Sequence, residues 1–303
     1  MAYGYRDAES TLLQLILVKL SECNRYVTAV NTIGNSDFSS SINAGALCDL
    51  LMLAGTKESI GEEKIDSYAA QRIIEWLQKC DEIGTEQLSD IEFLYLPILD
   101  ASSEIEPKAL RIRLGNDADY FCNMIELFYK KHSDMDSTKE LSKGLSDRLF
   151  RILFQFSVVP GMDSDGHFDS EQFKKWFDTV KEWSINNDRY AVTMHTVGSG
   201  LSYSNPGGRS LPPEAIISEL NKPENDELRR GYRIGMSNQR GVHVIDPQGT
   251  PEFELSDRFA EIANQAEAMG YSRYSEVLQA LSDQYKIEAM YNIQEHRAEA
   301  ENK

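Results

Sequence analysis

No two cysteines in the sequence stand close enough to form a CxxC pair: Cys23, Cys48, Cys80 and Cys122 are spread singly over the first 122 residues. Disulfide scaffolds and thiolate metal clips both need short, patterned spacings, so both are excluded, and the four cysteines read as buried free thiols in a reducing compartment. No apolar run approaches the roughly 20 residues that a membrane helix needs. The longest, LLQLILVKL over 12–20, is interrupted by Gln14 and Lys19. A mixed-charge start with Arg6, Asp7 and Glu9 lacks the cationic head of a signal peptide. The reading is a soluble cytoplasmic chain with no membrane association. Alternating strand patterns are also scarce, the best being the short GVHVI at 241–245, directly followed by Asp246 and Pro247. Among five histidines (132, 167, 195, 243 and 296) there is no HExxH and no i, i+4 pair, and no serine sits in a GxSxG elbow. Glycines 198, 200, 207 and 208 have neither a preceding strand nor a following Gly-Lys-Ser/Thr, which removes a phosphate loop and favours a flexible connector. No catalytic residue and no cofactor emerges, and the balance is against an enzyme.

What the sequence does contain is helical periodicity. Leu12, Leu13, Ile16, Leu17 and Leu20 share one face; Phe121, Met124, Ile125 and Phe128 another; Leu145, Leu149, Ile152, Leu153 and Phe156 a third. Phe173, Trp176, Phe177, Val180 and Trp183 continue the pattern, as do Phe259, Ile262, Ala263, Ala266 and Met269. Aromatics at this spacing read as core rather than as cofactor platforms. The punctuation agrees: Ser67 as an N-cap, Asp169 with Gln172 at capping-box spacing, Pro107 opening a helix that Gly115-Asn116 closes before Asp117, and Pro97 ending or kinking its helix. The fold class is therefore all-α, an irregular multi-helix array or bundle of about ten to thirteen helices with little or no sheet. Turn-rich stretches at 158–168 and 198–213 and a shorter loop at 247–251 break the pattern, and a division into helical regions 1–158 and 159–303 follows, or one continuous array.

The net charge is 31 − 49 = −18. It divides evenly, with 16 basic and 25 acidic residues in 1–158 and 15 and 24 in 159–303, as expected of solvated helix faces rather than an acidic tail. Direct binding to nucleic acid is disfavoured by that charge, and mimicry of nucleic acid has little support from so even a spread. Against this background stands one cationic helix, LRRGYRIGMSNQRG at 228–241. Arg229, Arg230, Arg233 and Arg240 fall at spacings that bring three of them to one face, and Asn238 and Arg240 mark its end. Two readings compete: guanidinium forks for an anion or acidic partner, or internal salt bridges. Gly231 and Gly235 each cost a helix about 1 kcal/mol relative to Ala and point to close approach by a ligand or another helix. DSDGHFD at 163–169 resembles a calcium loop, with Asp163, Asp165 and Asp169 as weak candidate ligands, yet Gly161 and Gln172 occupy the two ends where ligands are required. A tight Asp/Gly turn leading into a helix explains the same letters.

Three segments, FSVVPGMDSDGHFDSEQFKKWFDTV, RRGYRIGMSNQRGVHV and YSEVLQALSDQYKIEAMYN, preceded by LYLPILDASSEIEPKALRIRLGNDADYFCNMIELFYKKH, resemble the C-terminal helical region of large, mostly uncharacterised bacterial proteins. The resemblance implies a helical sensing or assembly region linked to bacterial conflict or phage defence, and carries no catalytic residue across. The expected function is a non-catalytic protein-interaction or regulatory module whose partner is another chain of the same system or a second copy of itself. The alternative is a phosphate- or nucleotide-handling enzyme or ligand sensor built on the 229–240 helix.

Overall fold

The computed structural model describes residues 14–15, 17–38, 42–58, 64–99, 105–129, 141–163 and 165–301. Among them the fold is all-α. Among the described residues thirteen α-helices have defined bounds, residues 14–15 and 17–22 are also helical, one short 3-10 turn spans Ser202–Ser204, and the only strand-like pairing is a single bridge between Met162 and Phe168. No helix among the described residues is long and apolar enough to cross a membrane. The helices are α1 Tyr26–Gly34, α2 Ala44–Glu58, α3 Ser67–Leu77, α4 Thr85–Leu94, α5 Lys108–Asn116, α6 Ala118–Phe128 and α7 Lys143–Phe154. They continue with α8 Ser170–Asn186, α9 Tyr190–Leu201, α10 Glu214–Asn221, α11 Asp226–Asn238, α12 Thr250–Ala268 and α13 Ser272–Glu301.

Packing divides the chain into two compact units, Met1–Leu114 with Lys139–Arg151, and Gly115–Thr138 with Ile152–Lys303. The turn-rich stretch 158–168 lies inside the second unit. In the first, Val30, Ile33, Leu47, Leu51, Ile73, Ile74, Leu77 and Ile91 form a continuous core. Each fully buried Leu or Ile contributes about 1.5–3 kcal/mol relative to exposure. Gly34 lets α1 and α3 touch, since a Cβ there would lie 2.4 Å from the Ala69 carbonyl oxygen. Asp66, one residue before the expected Ser67, caps α3 by accepting from the Tyr68 and Ala69 amides. The Asn35 side-chain bond, followed by those amide bonds, holds its carboxyl below the ordinary range. Glu92 is buried yet satisfied: one oxygen accepts from the Leu110 amide in the first turn of α5, the other from Gln78. Helix α4 ends at Leu94, ahead of Pro97. Cys48 is buried in this unit, Cys80 half-buried and Cys23 exposed, which corrects the expectation that all four thiols are buried.

In the second unit Trp176 packs in a core with Phe121 and Phe156, while Trp183 is half-buried beneath the Arg189 guanidinium. Asp117 and Asp169 cap α6 and α8 as their letters predict. The stretch 198–213 departs from expectation, because its first four residues complete α9. The reason is an unusually close crossing of α9 and α11. A Cβ on Gly198 would lie 2.1 Å from the Leu228 carbonyl oxygen, and one on Gly231 would lie 2.0 Å from that of His195. Backbone therefore meets backbone, and the glycine content that suggested a loop is the packing surface of a helix pair. Helices α12 and α13 form an antiparallel hairpin. At its turn Gly270 takes φ +87, with its amide bonding Glu267 and the Tyr271 amide bonding Ala266, the Schellman pattern of helix termination. Phe259 stacks on Tyr285, and the hydroxyls of Ser256 and Ser282 meet at 3.0 Å between the two helices.

Candidate functional site

The arginines of α11 have separate fates. Arg229, with 12% of its side chain exposed, faces the end of α10, where helix geometry leaves carbonyls without amide partners. Its guanidinium donates to the carbonyls of Leu220 (2.9 Å), Lys222 and Pro223 (3.2 Å) and pairs with Asp226. Burial, followed by the nearby charge of Arg273, lowers its pKa. The neighbouring Asn225 is fully buried, donates to Glu219 and accepts from Lys181 and Tyr190. Arg229 is thus part of a helix-end clasp. Arg230 is exposed, with Glu227 4.0 Å away, and Arg233 is exposed. Asn238, also exposed, ends α11, and its carbonyl accepts from the Gly241 amide.

Arg240 lies just beyond the helix. Its Nη1 donates to Glu288 Oε1 at 2.8 Å, its Nη2 pairs with Glu252, and the guanidinium stands 5.6 Å from the Tyr285 ring centre. Three elements build this cluster: the end of α11, the first turn of α12 and the middle of α13. Gly249 positions it, in a left-handed conformation at φ +65 with its Cα face against Ala289, where a Cβ would fall 2.9 Å from Ala289 Cα. Asp246 accepts from the amides of Gln248 and Thr250, fixing the entry to α12, and those bonds depress its pKa. Glu252, three residues after Gly249, is wholly buried. Its Oε1 meets Arg240, whereas its Oε2 has no hydrogen-bond partner. His243 completes the group, with Nε2 3.5 Å from Glu288 Oε1 and 3.8 Å from Glu252 Oε1. Its Nδ1 lies 3.2 Å from the Gly241 carbonyl oxygen.

His243 belongs to GVHVI, the segment whose alternation suggests a strand. It forms no strand here. Instead Val242, Val244 and Ile245 expose 107%, 91% and 59% of their surface. Since a β-branched, strand-prone run gains little from lying open to water, this is the most conspicuous apolar exposure among the described residues.

At the acidic turn the structure brings Asp163, Asp165 and His167 together, without Asp169. Asp163 Oδ1 accepts from the amides of Asp165 (2.9 Å) and His167 (2.8 Å), and the His167 bond is the foremost reason its carboxyl titrates below the ordinary range. Asp169 accepts from the amides of Glu171 and Gln172 and caps α8. The turn reading of these letters accounts for the amide contacts of Asp163 and Asp169, and beside them Asp163 Oδ2 lies 3.3 Å from His167 Nδ1. Two open depressions on the surface are lined by Val27, Thr28, Asn31, Thr32 and Lys64 and by Asp178, Lys181, Glu182, Ile185 and Asn186. Neither includes an arginine of α11.

Compared with protein-family models, with curated proteins and with solved structures, the chain matches none. Of the residues singled out in the sequence, Arg240 alone lies in the cluster around Glu252. Reading the sequence missed His243, Glu252 and Glu288, which are 9 and 36 residues apart along the chain (252 − 243 and 288 − 252). The one local signal was an acid placed three residues after a Gly-Thr-Pro helix start, which by itself reads only as dipole compensation.

Proposed function

We propose that this protein is a non-catalytic helical interaction module, an assembly or regulatory component of a bacterial multiprotein system of the phage-defence kind, working in the cytoplasm. The observation that carries this reading is the exposed apolar segment at 241–245. Val242, Val244 and Ile245 stand in water beside a charged cluster, and an apolar anchor within a polar rim is the usual make-up of a protein-binding surface. The arrangement of arginines supports the same reading: Arg229 and Arg240 are committed to groups of this chain, so the four do not converge on an anion. Resemblance in sequence is what suggests the bacterial defence setting.

The test places a photo-crosslinking amino acid at Val244 in the native host and identifies what it captures. A single protein species, or the chain itself, crosslinked at this position and lost in the Val242→Asp/Val244→Asp variant supports the reading. Crosslinks no different from those at an exposed control position, Ile185, overturn it. Because both valines are exposed, the double variant keeps its stability within about 0.5 kcal/mol of the parent, as read by urea unfolding.

A further inference from the structure

Beyond the interaction reading, and independent of it, we infer that His243, Glu252 and Glu288 form a binding site for a divalent transition ion of the zinc type. The three side chains come from the loop after α11, from α12 and from α13, and one ligand atom of each lies within 4.8 Å of the others. Ligand atoms about 2.1 Å from a tetrahedral ion are separated by about 3.4 Å. The distances from His243 Nε2 to Glu288 and Glu252, 3.5 and 3.8 Å, are close to that edge.

Three further features point to a cation. Glu252 is completely buried with Oε2 unpartnered, and a buried carboxylate oxygen left without a donor is costly unless something positive reaches it. The Gly241 carbonyl beside His243 Nδ1 can only accept, which engages Nδ1 as the donor and leaves Nε2, the nitrogen that faces the two carboxylates, as the atom that would ligate an ion. In formal charge, two glutamates against Arg240 leave one negative charge in excess before His243 is counted. Arg240 already donates to both carboxylates, which is the second-shell role that orients ligating acids, while its own charge opposes the ion and moderates affinity. One imidazole and two carboxylates suit zinc or cobalt better than calcium, whose six to eight oxygens are not assembled here. The three protein ligands leave a fourth position for water. Binding at His243 would also fasten the apolar 241–245 segment to the two C-terminal helices.

Cobalt and zinc titrations of the full-length protein test this. The expected result is one Co2+ per chain with the visible absorption of a tetrahedral nitrogen/oxygen site, displaced by one equivalent of Zn2+. His243→Ala and Glu288→Gln each weaken binding at least tenfold. His167→Ala, in the exposed Asp163 turn, leaves it unchanged. His243 is exposed, and an unaltered circular dichroism spectrum verifies that its variant folds. The proposal is overturned if the wild type takes up neither ion at 100 µM, if binding survives His243→Ala, or if His167→Ala abolishes it.

Discussion

Two clusters in the second unit hold a histidine and two acids, and they are built in opposite ways. Asp163, Asp165 and His167 are neighbours in sequence, all exposed, and their carboxylate contacts go to nearby backbone amides and to each other. His243, Glu252 and Glu288 come from three elements, one acid is buried, and an oxygen is left over. Local letters are easily satisfied by local backbone, as the Asx turn at Asp163 shows. A cluster assembled across helices is held by the fold, so it can retain an unmet demand that solvent would otherwise satisfy.

The largest effect that would break this contrast is expected for Arg240→Met. It leaves the buried Glu252 without its cation, and loss of one partner of a buried pair costs about 3–5 kcal/mol, measurable as a shifted urea midpoint. No such effect should come from the acidic turn. There the strongest expectation is Asp169→Ala, which removes the α8 cap and costs about 1 kcal/mol by the same measurement. The smallest effect sharpens the comparison by pH. Asp163 has a depressed pKa in the fold, so its ionised form stabilises the native state above the unfolded value of about 4 and that contribution disappears as pH falls through the folded value. Asp163→Asn keeps an acceptor oxygen and removes the charge. Its Tm should lie slightly below that of the parent at pH 6, with the difference closing as the pH is lowered below about 4. A gap that stays constant from pH 6 to 2.5 would show that the charge at Asp163 contributes nothing.

The helix content was legible because caps and core stripes are local. Asp117 and Asp169 start helices for a reason visible within three residues, and the Trp176 stripe is buried by the face it shares with Phe173 and Phe177. Two misreadings share one cause. Gly198 and Gly200 suggested a connector, although Gly198 lies inside a helix because Leu228 of another helix presses on it. Val242 and Val244 suggested a strand, although the described structure provides no neighbouring strand for the ladder. Glycine and β-branched residues state what the backbone tolerates, and only the partner decides which option is taken. The Arg240 cluster was illegible for the same reason, since its ligating atoms meet only when α12 folds back on α13.

The uneven burial of the thiols has a practical consequence. Burial pushes Cys48 up to about 11 and Cys122 up to about 12, well away from the thiolate form at neutral pH, and Cys80 is raised as well. Cys23 stands exposed. Thiol-reactive dyes near pH 7 should therefore label the unaltered chain preferentially at one position in the N-terminal unit, giving a native fluorescent handle remote in sequence from residues 240–292.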